Sequence, residues 1–340
     1  MSTVTDPHDG DSDAGEHPDL REHWRSKREE LRGDFEELRG EFGQHVSHAR
    51  DQLEEANERI KERTGRDLIV AILIGVGLGA VVVSSLVFVK WLFLPIALAI
   101  VLLGTYELCR ALRAGGRHID TVPQIIAAVL LVLTAYFAEL WLFWVALFAA
   151  VVLVIVWRML AQMLAADGRT YGDVLSDVLS SALIQIYVPF LASMAVLLLK
   201  EDGGEWWLLG FVVVVVAADT GAYASGLMFG KHPMAPRISP KKTWEGFAGA
   251  LVVSGVAATL IAVFMLGLPW WAGPIFGVVI LLTATLGDLA ESMLKRDLGI
   301  KDMSSWLPGH GGVLDRLDSI LPSAAAALCL YHLLPLWTGA

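Results

Sequence analysis

The chain has 340 residues, 55% of them hydrophobic and only 18% charged, with a mean hydropathy of +0.57. Soluble domains carry about 25% charged residues, so this balance excludes an ordinary soluble protein and points to lipid as solvent. No nucleic-acid partner is expected. Charge is also unevenly placed. Residues 1–66 hold 18 of the 36 acidic and 11 of the 26 basic side chains, a net of −7, which leaves −3 for the other 274 residues.

In chain order, Met1 to about Asp19 is rich in Asp, Gly, Ser and Pro, and is expected to be disordered. Leu20 to Arg66 reads as a charged helical segment. Trp24, Leu31, Phe35, Leu38 and Phe42 form a partial apolar seam, continued in another phase by Val46, Leu53 and Ile60 and interrupted by Gly33, Gly40 and Gly43. Residues 1–66 thus form a cytoplasmic extension, self-associating, resting on the membrane or simply solvated. They lack the apolar core of a secretory signal, so the first spanning helix is expected to direct insertion.

From residue 67 the chain parses into apolar stretches of about 20 residues, each long enough to cross the hydrocarbon core. They lie near 67–89, 91–112, 121–138, 140–163, 179–199, 205–229, 246–268, 271–294 and 318–338, about nine transmembrane helices in an all-α polytopic protein. Basic residues alternate across the connections. Arg59, Lys61, Arg63 and Arg66 precede the first span, Arg110, Arg113 and Arg117 follow the second, and Arg158 and Arg169 the fourth. Lys231, Arg237, Lys241 and Lys242 follow the sixth, and Lys295, Arg296, Lys301 and Arg316 the eighth. The intervening connections are nearly free of positive charge, so the positive-inside rule puts the N-terminus in the cytoplasm and the C-terminus outside. Cys109 and Cys329 have neither a paired framework nor metal-ligand spacing and read as small core residues.

Charged residues inside or beside spans carry the functional information, because their burial is costly unless something binds them. They fall in three clusters. Asp219 and Tyr223 share a face of the sixth span, with Gly221 and Gly226 permitting close backbone approach. Next, Ser239 followed by Pro240 reads as a helix N-cap with proline in the first turn, which places Lys241 and Lys242 at a positive helix end; an anion such as phosphate resolves that conflict. In the third cluster, Asp288, Glu291, Ser292 and Lys295 form one polar stripe, Gly299 is a C-cap, and Pro308-Gly309-His310-Gly311-Gly312 is a turn whose glycines let backbone N–H groups converge on phosphate. Asp288 and Asp315 bracket that turn, an arrangement that holds a hard divalent cation while leaving places for phosphate oxygens.

Ser292-x-x-Lys295-Arg296, then Lys301-Asp302, then Pro308-Gly309-His310-Gly311-Gly312-x-x-Asp315-Arg316-x-Asp318-Ser319 resembles the signature of bacterial phosphatidate cytidylyltransferases, the CDP-diacylglycerol synthases. Asp219-x-x-Ala222-Tyr223 and Ile238-Ser239-Pro240-Lys241-Lys242-Thr243-Trp244-Glu245-Gly246 resemble two further landmarks of that family, in the expected order. The resemblance covers roughly residues 70–338, so 67–340 is expected to be the membrane-embedded catalytic domain, its site built from 219–246 and 286–319. The 1–66 extension inherits nothing from it.

The resemblance implies transfer of CMP from CTP to phosphatidate, with release of pyrophosphate. It also implies Mg²⁺ with a monovalent cation such as K⁺ beside it, a homodimer, and a multi-pass protein of the inner, cytoplasmic membrane with its site facing the cytoplasm. The lipid phosphate is already anionic, so the site must mainly offset repulsion between polyanions and stabilise pyrophosphate. On this reading Asp288 and Asp315 hold metal, Asp219 is a third acidic candidate and Tyr223 lines the site beside it. Ser239, Lys241, Lys242 and Thr243 grip phosphate. Lys295, Arg296, Lys301, His310, Gly311, Gly312, Arg316 and Asp318 surround the triphosphate. The Asp-Gly-x-x-Ala-Arg run of CDP-alcohol phosphotransferases is absent, and no internal repeat suggests a transporter. A cytidylyltransferase for another lipid phosphate remains open at this stage.

Overall fold

The computed structural model describes Lys27 and residues 68–165, 168–300, 302–304 and 312–338. The chain divides into two compact units, Met1–Leu68 and Ile69–Ala340. In the first, Lys27 is helical and exposed; the rest of the expected charged extension lies outside the described residues.

Among the described residues the fold is all-α apart from one short hairpin. Helix α1 is Leu68–Phe88, and a single 3₁₀ turn, Lys90–Leu92, leads into α2, Phe93–Ala114. Then follow α3 (Thr121–Phe137), α4 (Leu140–Ala165), α5 (Tyr171–Gln185), α6 (Leu191–Lys200) and α7 (Gly204–Phe229). Strands β1 (Pro233–Ala235) and β2 (Ser239–Thr243) pair antiparallel, with Pro233 opposite Thr243 and Ala235 opposite Ser239. Helices α8 (Trp244–Phe264), α9 (Ala272–Asp297), the four-residue α10 (Leu314–Leu317) and α11 (Ile320–Thr338) complete the chain.

Each apolar stretch expected from sequence falls on a helix. Seven helical segments among the described residues are long and apolar enough to cross a membrane: Lys90–Ala114, Leu140–Ala165, Tyr171–Lys200, Gly204–Phe229, Trp244–Phe264, Ala272–Asp297 and Leu314–Trp337. Gly79–Phe88 and Thr121–Phe137 are apolar but shorter. The chain is an all-α, multi-pass membrane protein. The fifth span starts earlier than hydropathy placed it, at a capping box in which the Thr170 hydroxyl accepts from Asp173 N–H while the Asp173 carboxylate accepts from Thr170 N–H. It continues through a π turn, Ile186–Phe190, where Pro189 lacks the N–H that a regular turn needs.

Lipid gives helices no hydrophobic reason to associate, so close packing and internal hydrogen bonds must hold them. Small residues supply the packing. A Cβ on Gly249 would meet the Ser225 hydroxyl at 1.9 Å, and one on Gly221 would meet Val253 at 2.8 Å, so α7 and α8 touch nearly backbone to backbone. Aromatic rings fill a second zone, where Trp207 packs edge-on against both Phe276 and Tyr331 and joins α7, α9 and α11. Buried polar groups fasten the rest. Gln185 Nε2 donates to the Gln124 backbone and side chain, tying α5 to α3, and the buried Asp177 of α5 pairs with Arg158 of α4 and with Arg169.

Candidate active site

The site grows from the ends of α7, α8 and α9, the hairpin, and the junction of α10 with α11. Gly287 controls how closely these ends approach. A Cβ there would stand 2.1 Å from the Asp318 carbonyl oxygen, so only glycine lets the α10–α11 junction lie on α9. That contact brings Asp318 beside the polar stripe of α9. The hairpin is fixed by Glu245, whose carboxylate accepts from Lys231 and His232 N–H groups and pairs with the His232 ring, and by Arg296, whose Nε donates to the Ile238 carbonyl.

These elements enclose a cavity of about 310 Å³. Its apolar floor is Ala218, Ala250, Leu281 and Ala284; its polar wall includes Asp219, Lys241, Lys242, Thr243, Thr285, Asp288 and Ser319. Lys242 Nζ lies 2.5 Å from Asp288 Oδ2, and Ser292 Oγ donates to Asp288 Oδ1 at 3.2 Å. Asp219 is within electrostatic range of Asp288, Asp318 and Lys242.

Deeper along α9, Lys295 Nζ lies 2.9 Å from Asp315 Oδ1 and 3.4 Å from Glu291 Oε2. Asp315 also accepts from Met303 N–H at 3.0 Å and Gly312 N–H at 2.7 Å. Glu291 is 1% exposed, and its carboxylate oxygens have no hydrogen-bond donor among the described residues. Asp318 is within electrostatic reach of it.

A model of the cytidylyltransferase family matches residues 69–334. The phosphatidate cytidylyltransferases of Mycobacterium bovis and Mycobacterium tuberculosis are 43% identical over 287 residues, covering 80% of this chain and 91% and 85% of theirs. That of Mycobacterium leprae is 39% identical over 289 residues, 80% of this chain and 90% of its own. The chain belongs to the cytidylyltransferase family.

Against the family pattern read from sequence, the structure gathers Asp219, Tyr223, Lys241, Lys242, Thr243 and Asp288 around the cavity, with Lys295, Asp315 and Asp318 behind it. Lys301, His310 and Gly311 lie outside the described residues. Arg316 is exposed on α10.

Two local expectations are corrected. Ser239-Pro240 does not cap a helix: Ser239–Thr243 is strand β2, and the cap of α8 is Thr243, whose hydroxyl accepts from Gly246 N–H at 3.1 Å. The pleat of the strand, not a helix dipole, presents Lys242 to Asp288, and Ser239 does not line the cavity. The Gly312 N–H, expected to face phosphate, is donated to Asp315 Oδ2 here.

Gly299 meets its expectation as a C-cap. Its φ is +67°, and the N–H groups of Gly299 and Ile300 close on the Arg296 and Lys295 carbonyls. Sequence reasoning missed two participants. Tyr187, on the π turn, has a buried hydroxyl with no hydrogen-bond partner among the described residues, within electrostatic reach of Glu291, Asp318 and Asp288. Glu107, of α2, reaches the C-terminal motif from over 200 residues away in sequence. An isolated acidic residue in an apolar helix was the available signal for Glu107; nothing in the sequence singles out Tyr187.

Proposed function

We propose that the cavity is the active site of a phosphatidate cytidylyltransferase, which joins the CMP of CTP to phosphatidate and releases pyrophosphate. One observation carries this assignment. Each carboxylate expected to hold metal is ion-paired with a lysine expected to grip phosphate, Asp288 with Lys242 and Asp315 with Lys295. Magnesium and phosphate would supply the same two signs of charge, so that on binding each carboxylate would gain a cation and each ammonium an anion in place of its present partner.

The donor set suits such an ion. Among the described residues no three carboxylate, imidazole or thiolate groups form a preformed cage. Magnesium is commonly held by one or two carboxylates together with substrate phosphates. Glu291 and Asp318, within electrostatic reach of one another, add further negative charge near this site. Asp288 and Asp315 would hold Mg²⁺, with Asp318 beside them. When bound, the ion would neutralise phosphate charge and polarise the reacting phosphoryl group.

The chain's own residues do the remaining work. Lys241 and Lys242 orient phosphate oxygens at the cavity wall, and Lys295 stabilises the leaving pyrophosphate, with Arg296, Lys301, His310 and Arg316 assigned to the same polyanion. The apolar floor takes the glycerol end of the lipid and excludes water. No strong general base is required, since the attacking phosphate oxygen is already ionised.

The reading extends to nine crossings, a cytoplasmic N-terminus and a site facing the cytoplasm of the inner membrane, supported by the alternation of basic connections. The separate 1–66 extension is supported by its composition. A homodimer and a monovalent cation beside magnesium follow from the family resemblance. Purified protein in detergent, supplied with Mg²⁺, labelled CTP and phosphatidate, is expected to form CDP-diacylglycerol. A folded preparation that forms none overturns the proposal. Competition with isoprenoid phosphates tests lipid choice, and mass measurement in detergent tests the dimer.

A further inference from the structure

Glu107 lies in the run Thr105-Tyr106-Glu107-Leu108-Cys109 of α2 and is 1% exposed. A carboxylate buried in a membrane helix is costly unless it is fully engaged. Its described partners all belong to the C-terminal motif: it accepts from Ser304 Oγ at 2.5 Å, Val313 N–H at 3.0 Å and Leu314 N–H at 2.9 Å. Ser304 precedes the 305–311 segment and Val313 and Leu314 follow it, so one carboxylate ties both flanks together. Asp315 repeats the pattern one layer away, accepting from Met303 N–H before the segment and Gly312 N–H after it. Gly312 makes the double closure possible. A Cβ there would meet Glu107 Oε2 at 2.8 Å and Asp315 Oδ2 at 3.0 Å.

We infer that Glu107 is a positioning residue for cytidylyl transfer: it ties Ser304 to Val313 and Leu314 and so holds Asp315 against Lys295. A carboxylate is needed because its oxygens face three donors and offer no hydrogen. In Glu107→Gln, whichever way the amide is turned, its NH₂ opposes the N–H of either Val313 or Leu314, so one of the two backbone bonds to the following flank is lost. Asp315 shares that flank, so its aim at Lys295 loosens with it.

The inference rests on the phosphatidate cytidylyltransferase reading, and the test separates the two. Full-length Glu107→Gln and Glu107→Ala are purified beside wild type. Their thermal unfolding, kcat and KM for CTP, and rate of tryptic cleavage at Lys301 are compared. Glu107→Gln is expected to unfold within a few degrees of wild type, to lose roughly ten- to a hundredfold in kcat with a smaller change in KM, and to be cleaved faster at Lys301. Glu107→Ala is expected to fall further. Unchanged kcat and unchanged cleavage in folded Glu107→Gln overturn the inference alone. Wild type that forms no CDP-lipid overturns the functional reading, and the cleavage rates still judge the clamp. If Glu107→Gln does not fold, Ser304→Ala decides: it removes the hydroxyl that Glu107 holds on the entering flank, so a several-fold faster cleavage supports the clamp and an unchanged rate overturns it.

Discussion

Gly287→Ala is the most direct probe of how the helix ends assemble the site. The new methyl carbon would stand 2.1 Å from the Asp318 carbonyl oxygen and 2.8 Å from Pro322 Cγ. Contacts of this kind do not occur below 3.0 Å, so the α10–α11 junction must retreat from α9 by about 0.9 Å or more. The obstacle is backbone, and no side-chain rotation relieves it. Asp318 moves with its carbonyl, and Asp315 lies three residues earlier on the same turn. A misplacement near 1 Å costs on the order of a hundredfold in rate when groups must converge on one reacting centre. Gly287→Ala is therefore expected to lose about two orders of magnitude in kcat, assayed as labelled CDP-lipid per folded enzyme. Gly255→Ala, on α8, serves as the control because a Cβ there meets nothing within 4 Å. Its activity is expected to stay within about twofold of wild type, since the added methyl favours helix and displaces nothing. Wild-type turnover by folded Gly287→Ala would refute the claim that this contact sets the geometry.

Lys242→Ala removes the ammonium 2.5 Å from Asp288; a charge-assisted hydrogen bond to phosphate is worth about 1.5–3 kcal/mol, so kcat/KM should fall about ten- to a hundredfold. Unaltered KM values and turnover for both substrates would place the phosphate grip elsewhere. Asp288→Asn is expected to raise the magnesium concentration needed for half-maximal turnover, read from a metal titration at saturating CTP. Asp315→Asn keeps the shape but turns an NH₂ toward Lys295 or Gly312, so kcat should fall and cleavage at Lys301 should quicken together. Asp177→Asn, distant from the cavity, strips one member of a buried network with Arg158 and Arg169. It should cost about 3–5 kcal/mol of stability in detergent unfolding and leave turnover per folded molecule unchanged.

The span pattern was legible because lipid leaves only a few ways to satisfy a backbone, and a run such as Leu140–Ala165 has no other reading. The third cluster was legible for the opposite reason: Asp288, Lys295 and Asp315 are too polar for their surroundings unless they face one another. What sequence concealed is local and geometric. Ser239-Pro240 satisfies every rule for a helix start, yet the pairing of β2 with Pro233–Ala235 takes those residues first and moves the cap to Thr243. Gly312 looked like a phosphate cradle because glycine is the usual means of exposing N–H groups. Its lack of a side chain instead admits two carboxylates at once. Glu107 could be flagged as out of place, but its partners lie at the far end of the chain, and no spacing rule connects them.

These details also bear on why such a reaction is housed at the ends of packed membrane helices. Phosphatidate joins a doubly charged headgroup to two acyl chains, so a pocket for it must be apolar on one side and ionic on the other. Both kinds of residue line the cavity, Ala218, Ala250, Leu281 and Ala284 together with Lys241, Lys242 and Asp288. The glycine contacts of α7 with α8 bring those two helices close together beside it. Lone lysines there would carry an uncompensated desolvation penalty. Pairing Lys242 with Asp288 and Lys295 with Asp315 removes most of it. On the proposed reading, substrate and metal would exchange partners with these pairs within a charge-balanced site instead of charging a neutral one. The same carboxylates that hold the lysines before binding would, on that reading, hold the metal afterwards.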